Sequence, residues 1–97
     1  MTIQQLLDED EIRVKIFKAL AEKKRIEIIR YLLAEPSRNS CGEIGTIMNT
    51  DKSNITYHLK IMNDAGLIRV VREGQKKMIY LRDDVFQVYL PGFLDSL

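Results

Sequence analysis

A chain of 97 residues, 45% hydrophobic and 30% charged with a net charge of +1, has the composition of one small globular domain. Its one cysteine, Cys41, excludes an internal disulfide framework and suits a reducing compartment. No apolar run approaches the roughly 20 residues that cross a bilayer, and the acidic start MTIQQLLDEDEIR lacks the basic opening of a signal peptide, so a cytoplasmic protein without a membrane partner is expected.

The run DEDE at 8–11 places negative charge where a first helix is expected to begin. Beyond it Ile12, Ile16 and Leu20 recur at helical spacing, with Val14, Phe17 and Ala19 widening the apolar surface. A second helix is expected over KKRIEIIRYLLAE, with Ile26, Ile29, Leu32 and Leu33 inward and an end before Pro36. PSRNS reads as a loop. Ser40 and Glu43 form a capping box for a short third helix over 42–48, with Ile44, Ile47 and Met48 as its apolar face. Asp51 caps a fourth helix over 52–65, whose Ile55, Leu59 and Met62 point inward, and Gly66 stops it.

After Gly66 the pattern turns extended. LIRVV and MIYLR read as strands, and REGQKK between them carries the glycine of a hairpin turn. A last helix is expected from Asp83 or Asp84 through DDVFQVYL, interrupted by Pro91 and Gly92, with FLDSL as an irregular or helical turn. The predicted fold class is mainly α (α+β), in the order helix, helix, helix, helix, strand, strand, helix. That is a winged helix-turn-helix in a single domain over 1–97, with helices added at both ends.

In such a pair the second helix enters the DNA major groove and its first turns reach base edges. Lys52, Ser53, Asn54, Thr56 and Tyr57 are therefore the candidate base-reading residues. Lysine donates to guanine, asparagine pairs with adenine, and hydroxyls meet bases or phosphates. Charge points the same way, since residues 51–82 hold seven Lys/Arg against three Asp/Glu while residues 1–50 balance eight against eight. Lys60, Arg69, Arg72, Lys76 and Lys77 are the candidates for phosphate contact, which supplies affinity and salt sensitivity but little discrimination. A merely solvated polar helix would leave the basic hairpin beside it unexplained.

These residues carry a family resemblance. LAEKKRIEIIRYL resembles LADPTRLRILxLL of the ArsR/SmtB winged-helix regulators, GEIGTIMNTDKSNITYHLKIMNDAGLI resembles their GELAEALGLSQSTVSHHLKVLREAGLV without a gap, and REGQKKMIYL resembles their wing. The likeness spans about residues 18–82 and places the family's base-facing positions on Lys52, Ser53, Thr56 and Tyr57. It implies a homodimer, paired through its first and last helices, that binds a palindromic double-stranded operator and releases it when an effector binds.

Pairing is also suggested by composition. Val85, Phe86, Val88, Tyr89, Leu90, Phe93, Leu94 and Leu97 exceed what one short helix needs. The expected interface set is Ile12 and Ile16 with Phe86, Tyr89, Leu90, Phe93 and Leu94. The competing reading folds the C-terminal segment back onto its own core.

The family's metal sites are not reproduced. Its Cys-Val-Cys positions are Ser40, Cys41 and Gly42 here, and its Asp-x-His start is Asp84-Val85-Phe86, with His58 the only histidine. Serine is a poor soft-metal ligand and glycine offers none, so no metal and no cofactor are expected. Cys41 is a candidate redox switch, set against the plainer reading of a small buried apolar side chain. His58 is expected to pack where the helix meets the wing rather than to act as ligand or catalyst. Without a nucleophile–base pair, paired carboxylates or a phosphate-cradling loop, an enzyme is not expected. The predicted function is a homodimeric regulator, a repressor, with an unidentified small molecule as candidate effector. The alternative is a winged-helix module for protein partners or single-stranded nucleic acid.

Overall fold

A computed structural model describes residues 1–97. Helices α1 (Ile3–Leu20), α2 (Lys23–Ala34), α3 (Cys41–Ile47) and α4 (Lys52–Asp64) precede strands β1 (Ile68–Glu73) and β2 (Lys76–Leu81). Helix α5 (Asp83–Tyr89) and a 3-10 turn over Leu94–Ser96 complete the chain. This is a winged helix-turn-helix carrying an extra helix at each end.

α1 begins earlier than the acidic run suggests. The Thr2 hydroxyl accepts from the Gln5 N–H at 3.2 Å while the Gln5 side chain accepts from the Thr2 N–H at 2.7 Å, a reciprocal cap that starts the helix at Ile3. The DEDE run thus lies inside the helix, where Glu9 and Asp10 sit 3.7 Å and 3.1 Å from Arg13.

The two helices of the turn end in the same way. After α3, Asn49 takes a φ of +50°; its N–H meets the Thr46 carbonyl at 3.1 Å and the Thr50 N–H meets Gly45 at 2.9 Å. After α4, Gly66 takes a φ of +78°; its N–H meets Asn63 at 3.0 Å and the Leu67 N–H meets Met62 at 3.0 Å. Both are Schellman closures, with asparagine tolerating the left-handed conformation at the first and glycine adopting it freely at the second. The first fixes how α3 hands the chain to α4, and the second how α4 hands it to the wing.

β1 and β2 pair antiparallel from Ile68 opposite Leu81 to Glu73 opposite Lys76. Gly74 and Gln75 make the turn, with positive φ at Gly74 alone, as a type II′ hairpin requires. Asn39 anchors this wing to the body. Its backbone carbonyl accepts from the Ile79 N–H at 2.9 Å, and its buried amide donates to the Ile79 carbonyl at 2.7 Å. Ser40 bridges to Met78, so the segment before α3 lies antiparallel beside β2 at one isolated bridge, outside the two-stranded sheet.

One core joins all helices to the wing root, with Ile28, Ile29, Ile44, Ile55, Met62, Leu67, Ile68 and Ile79 almost fully enclosed. Ile55, Leu59 and Met62 face inward as the helical period requires. In α2 the inward set is Ile28, Ile29 and Leu32, while Leu33 is exposed, and in α3 Ile47 is exposed too.

Three residues expected at a subunit interface belong instead to the single chain's core. Ile16 and Phe86 are 1% exposed and Leu94 9%, and the Phe86 ring stacks on Phe93 with centroids 6.0 Å apart. The C-terminal segment does fold back. Tyr89, Leu90 and Phe93 are half-buried against the same core, whereas Ile12 and Val88 stay exposed. On α1 the outward apolar residues are Ile3, Leu6, Leu7, Val14 and Phe17, on the face opposite Ile16 and Ala19.

Candidate nucleic-acid interface

α4 presents its first turns to solvent because Asp51 caps it from the side. One carboxylate oxygen of Asp51 accepts from the Asn54 N–H at 2.8 Å and the Ser53 hydroxyl at 3.4 Å, and the other from the Asn54 amide at 3.1 Å. The cap therefore occupies the side chains of Ser53 and Asn54. Lys52, Thr56 and Tyr57 project free, with the Tyr57 ring 59% exposed and edge-on to His58 at 5.6 Å.

Between α3, the start of α4 and the wing lies an open groove of about 1080 Å³. Lys52 and Thr56 line it from α4, and Arg72, Lys76 and Lys77 from the wing. Ser53, Asn54, Tyr57, Lys60 and Arg69 do not. Pairing within the chain explains the selection among the cations. Lys60 bonds Asp64 at 3.0 Å, Arg82 grips Asp84 through two bonds of 3.1 and 2.9 Å, and the Arg69 guanidinium lies 5.3 Å over the Tyr80 ring. Of the seven bases in residues 51–82, Lys60 and Arg82 are ion-paired and Arg69 lies over an aromatic ring, while Lys52, Arg72, Lys76 and Lys77 have neither kind of partner, and these four line the groove.

Gln75 at the wing tip, Thr46 from the last turn of α3, and Asn49 and Thr50 from the turn line the same groove and were missed by sequence reasoning. The only signal for Gln75 was its place between the hairpin glycine and the wing lysines. Cys41, half-buried at the first position of α3, also lines the groove. Beside it the Ser40 hydroxyl and N–H hold the Glu43 carboxyl below its usual range, completing the predicted capping box. On the wing's other face Tyr80 donates to Glu73, which raises the phenol's pKa.

His58 does not sit at the wing. Its Nδ1 lies 3.1 Å from the Arg25 guanidinium, at the start of α2. Burial first, and then the Arg25 charge, hold its pKa below 6.5. No group of three or more His, Cys, Asp or Glu side chains gathers to hold a metal ion within one chain. No helix is long and apolar enough to cross a membrane.

This is the architecture of a DNA-binding helix-turn-helix protein, and comparison with known proteins agrees. The family described as Helix-turn-helix domain matches residues 20–71. The chain is 43% identical over 97 residues to the HTH-type transcriptional regulator YceK of Bacillus subtilis (strain 168), covering 100% of this chain and 95% of that one. It is 37% identical over 68 residues to the arsenical resistance operon repressor of the same organism, covering 70% of this chain and 64% of that one. Among solved structures, the homodimeric winged helix-turn-helix DNA-binding domain of Mb0332 from Mycobacterium bovis superposes with a TM-score of 0.77 at 18% identity, over 99% of this chain and 87% of that one. The chain belongs to this helix-turn-helix family of transcriptional regulators, and its winged fold is shared with solved structures of ArsR-family regulators.

Proposed function

We propose that this regulator is a homodimeric repressor that binds a two-fold-symmetric operator in double-stranded DNA. The observation that carries the reading is the groove in which Lys52, Arg72, Lys76 and Lys77, none of them ion-paired, meet the free end of the reading helix. Lys52, Thr56 and Tyr57 read bases directly, and Ser53 and Asn54 join them when released from the Asp51 cap. Arg72, Lys76 and Lys77 hold phosphates, with Lys60 and Arg69 as outer contacts once their present partners yield. Four cations against the single Asp51 carboxylate in one groove favour a polyanion over a protein partner.

Two copies pair through the outward stripe of α1, where Val14 and Phe17 are about half exposed, and through Val88 with the residual surface of Tyr89, Leu90 and Phe93. Solvent-exposed apolar residues at helical spacing on α1, with a second apolar set in the C-terminal segment, are what a second copy of the same surface covers. The side chains at the family's two metal positions, Ser40-Cys41-Gly42 and Asp84-Val85-Phe86, do not make a soft-metal site, so the releasing signal is not a metal held there.

Replacing Lys76 and Lys77 together with alanine tests the phosphate assignment. Affinity is expected to fall by similar factors on every duplex, and the slope of log affinity against log salt to drop by about two per protomer. Titrations at several salt concentrations measure both. A loss confined to one sequence would contradict the assignment.

A further inference from the structure

Arg25 is the one charged side chain buried in the chain, at 9% exposure. It stands in the first turn of α2 and reaches two other helices at once. Its Nε donates to the Ala19 carbonyl in the last turn of α1, and its Nη1 lies 3.1 Å from Nδ1 of His58, in the second turn of α4. A guanidinium has donors only, so Nδ1 must accept. The imidazole is thereby neutral, with its proton on Nε2.

We infer that Arg25 and His58 form a positioning pair that seats the reading helix against the last turn of α1, so that protonation of His58 weakens DNA binding; this rests on the operator-binding reading above. α1 carries the surface proposed to meet the second copy, and α4 carries Lys52, Thr56 and Tyr57. One side chain therefore ties the reading head to the element that sets the distance between two heads. A protonated imidazole has no lone pair for Arg25, and two cations would face each other across the present 3.1 Å. The charged groups acting on His58 all come from the start of α2 and its cap: Arg25 and Lys24 oppose protonation, and Glu22 favours it. α1 contributes the Ala19 carbonyl, already held by Arg25, and α4 the uncharged Tyr57 ring.

The sign follows from the lowered pKa. A histidine whose folded pKa lies below 6.5 contributes fully above 6.5, and the contribution is lost as the pH falls through the folded value. His58 is the only histidine, and ordinary carboxylates titrate well below this window while thiols and lysines titrate above it.

The test uses the full chain and a duplex selected by it from a random library at pH 7.5. Fluorescence anisotropy gives affinity at pH 7.5 and 5.5 at fixed salt for the natural chain and for His58→Asn, which offers an acceptor near the Nδ1 position but does not titrate. Circular dichroism confirms that both stay folded at each pH. The natural chain is expected to lose about tenfold in affinity on acidification and the variant less than twofold. Affinity that stays level or rises in the natural chain, or that falls equally in His58→Asn, overturns the positioning pair. Failure to enrich any duplex at pH 7.5 overturns the operator reading itself, and the pair's role with it.

Discussion

Phe17→Glu is expected to leave a folded chain that no longer pairs and to lower operator affinity by about a hundredfold. Phe17 is 53% exposed in one chain, so a carboxylate there meets water in the monomer. In the pair the same carboxylate would enter a desolvated seam, where an unpartnered charge is strongly disfavoured. The affinity falls because each reading head then binds alone instead of sharing one site with its twin. Sedimentation should give a single 11.3 kDa species with an unchanged helical spectrum. A variant that still sediments at twice that mass would remove α1 from the interface.

Phe86→Ala is expected to act in a different way, costing about 3–5 kcal/mol of folding stability. The ring is 1% exposed and stacks on Phe93, so truncation empties space inside one chain. Small domains hold only about 5–15 kcal/mol in total, and the denaturant midpoint should fall sharply at every protein concentration. Val88→Ala on the same helix, at 69% exposure, should leave that midpoint nearly unchanged. A Phe86→Ala protein of normal stability but weakened self-association would restore Phe86 to the interface.

These two residues mark where the sequence was legible and where it was not. The inward face of α4 could be read because Ile55, Leu59 and Met62 are its only regular apolar set, and Asp51 and Gly66 bracket it. α1 has two apolar stripes, one through Ile12 and Ile16 and another through Ile3, Leu7, Val14 and Phe17. Periodicity alone does not say which turns inward, and packing against α2 and α4 buries Ile16 and Ala19. Its start was missed because the acidic run outweighed the quieter Thr2–Gln5 cap.

At the interface, the basic residues and the reading helix were evident from residue type and spacing. Which cations remain free was legible only in part: Lys60–Asp64 and Arg82–Asp84 are local pairs whose spacing shows in the sequence, whereas Arg69 meets the Tyr80 ring only once the two strands pair. Asn54 looked like an adenine reader by chemistry, yet the same amide suits the Asp51 carboxylate three residues before it. His58 and Arg25 lie 33 residues apart, and nothing local in either segment announces the other.

The most direct check is guanine-methylation protection along the selected duplex in the presence of the full chain. Two protected major-groove patches related by a two-fold axis, with centres about 34 Å apart, are the expected result. A single patch, or two without that symmetry, would contradict a paired insertion of residues 52–57.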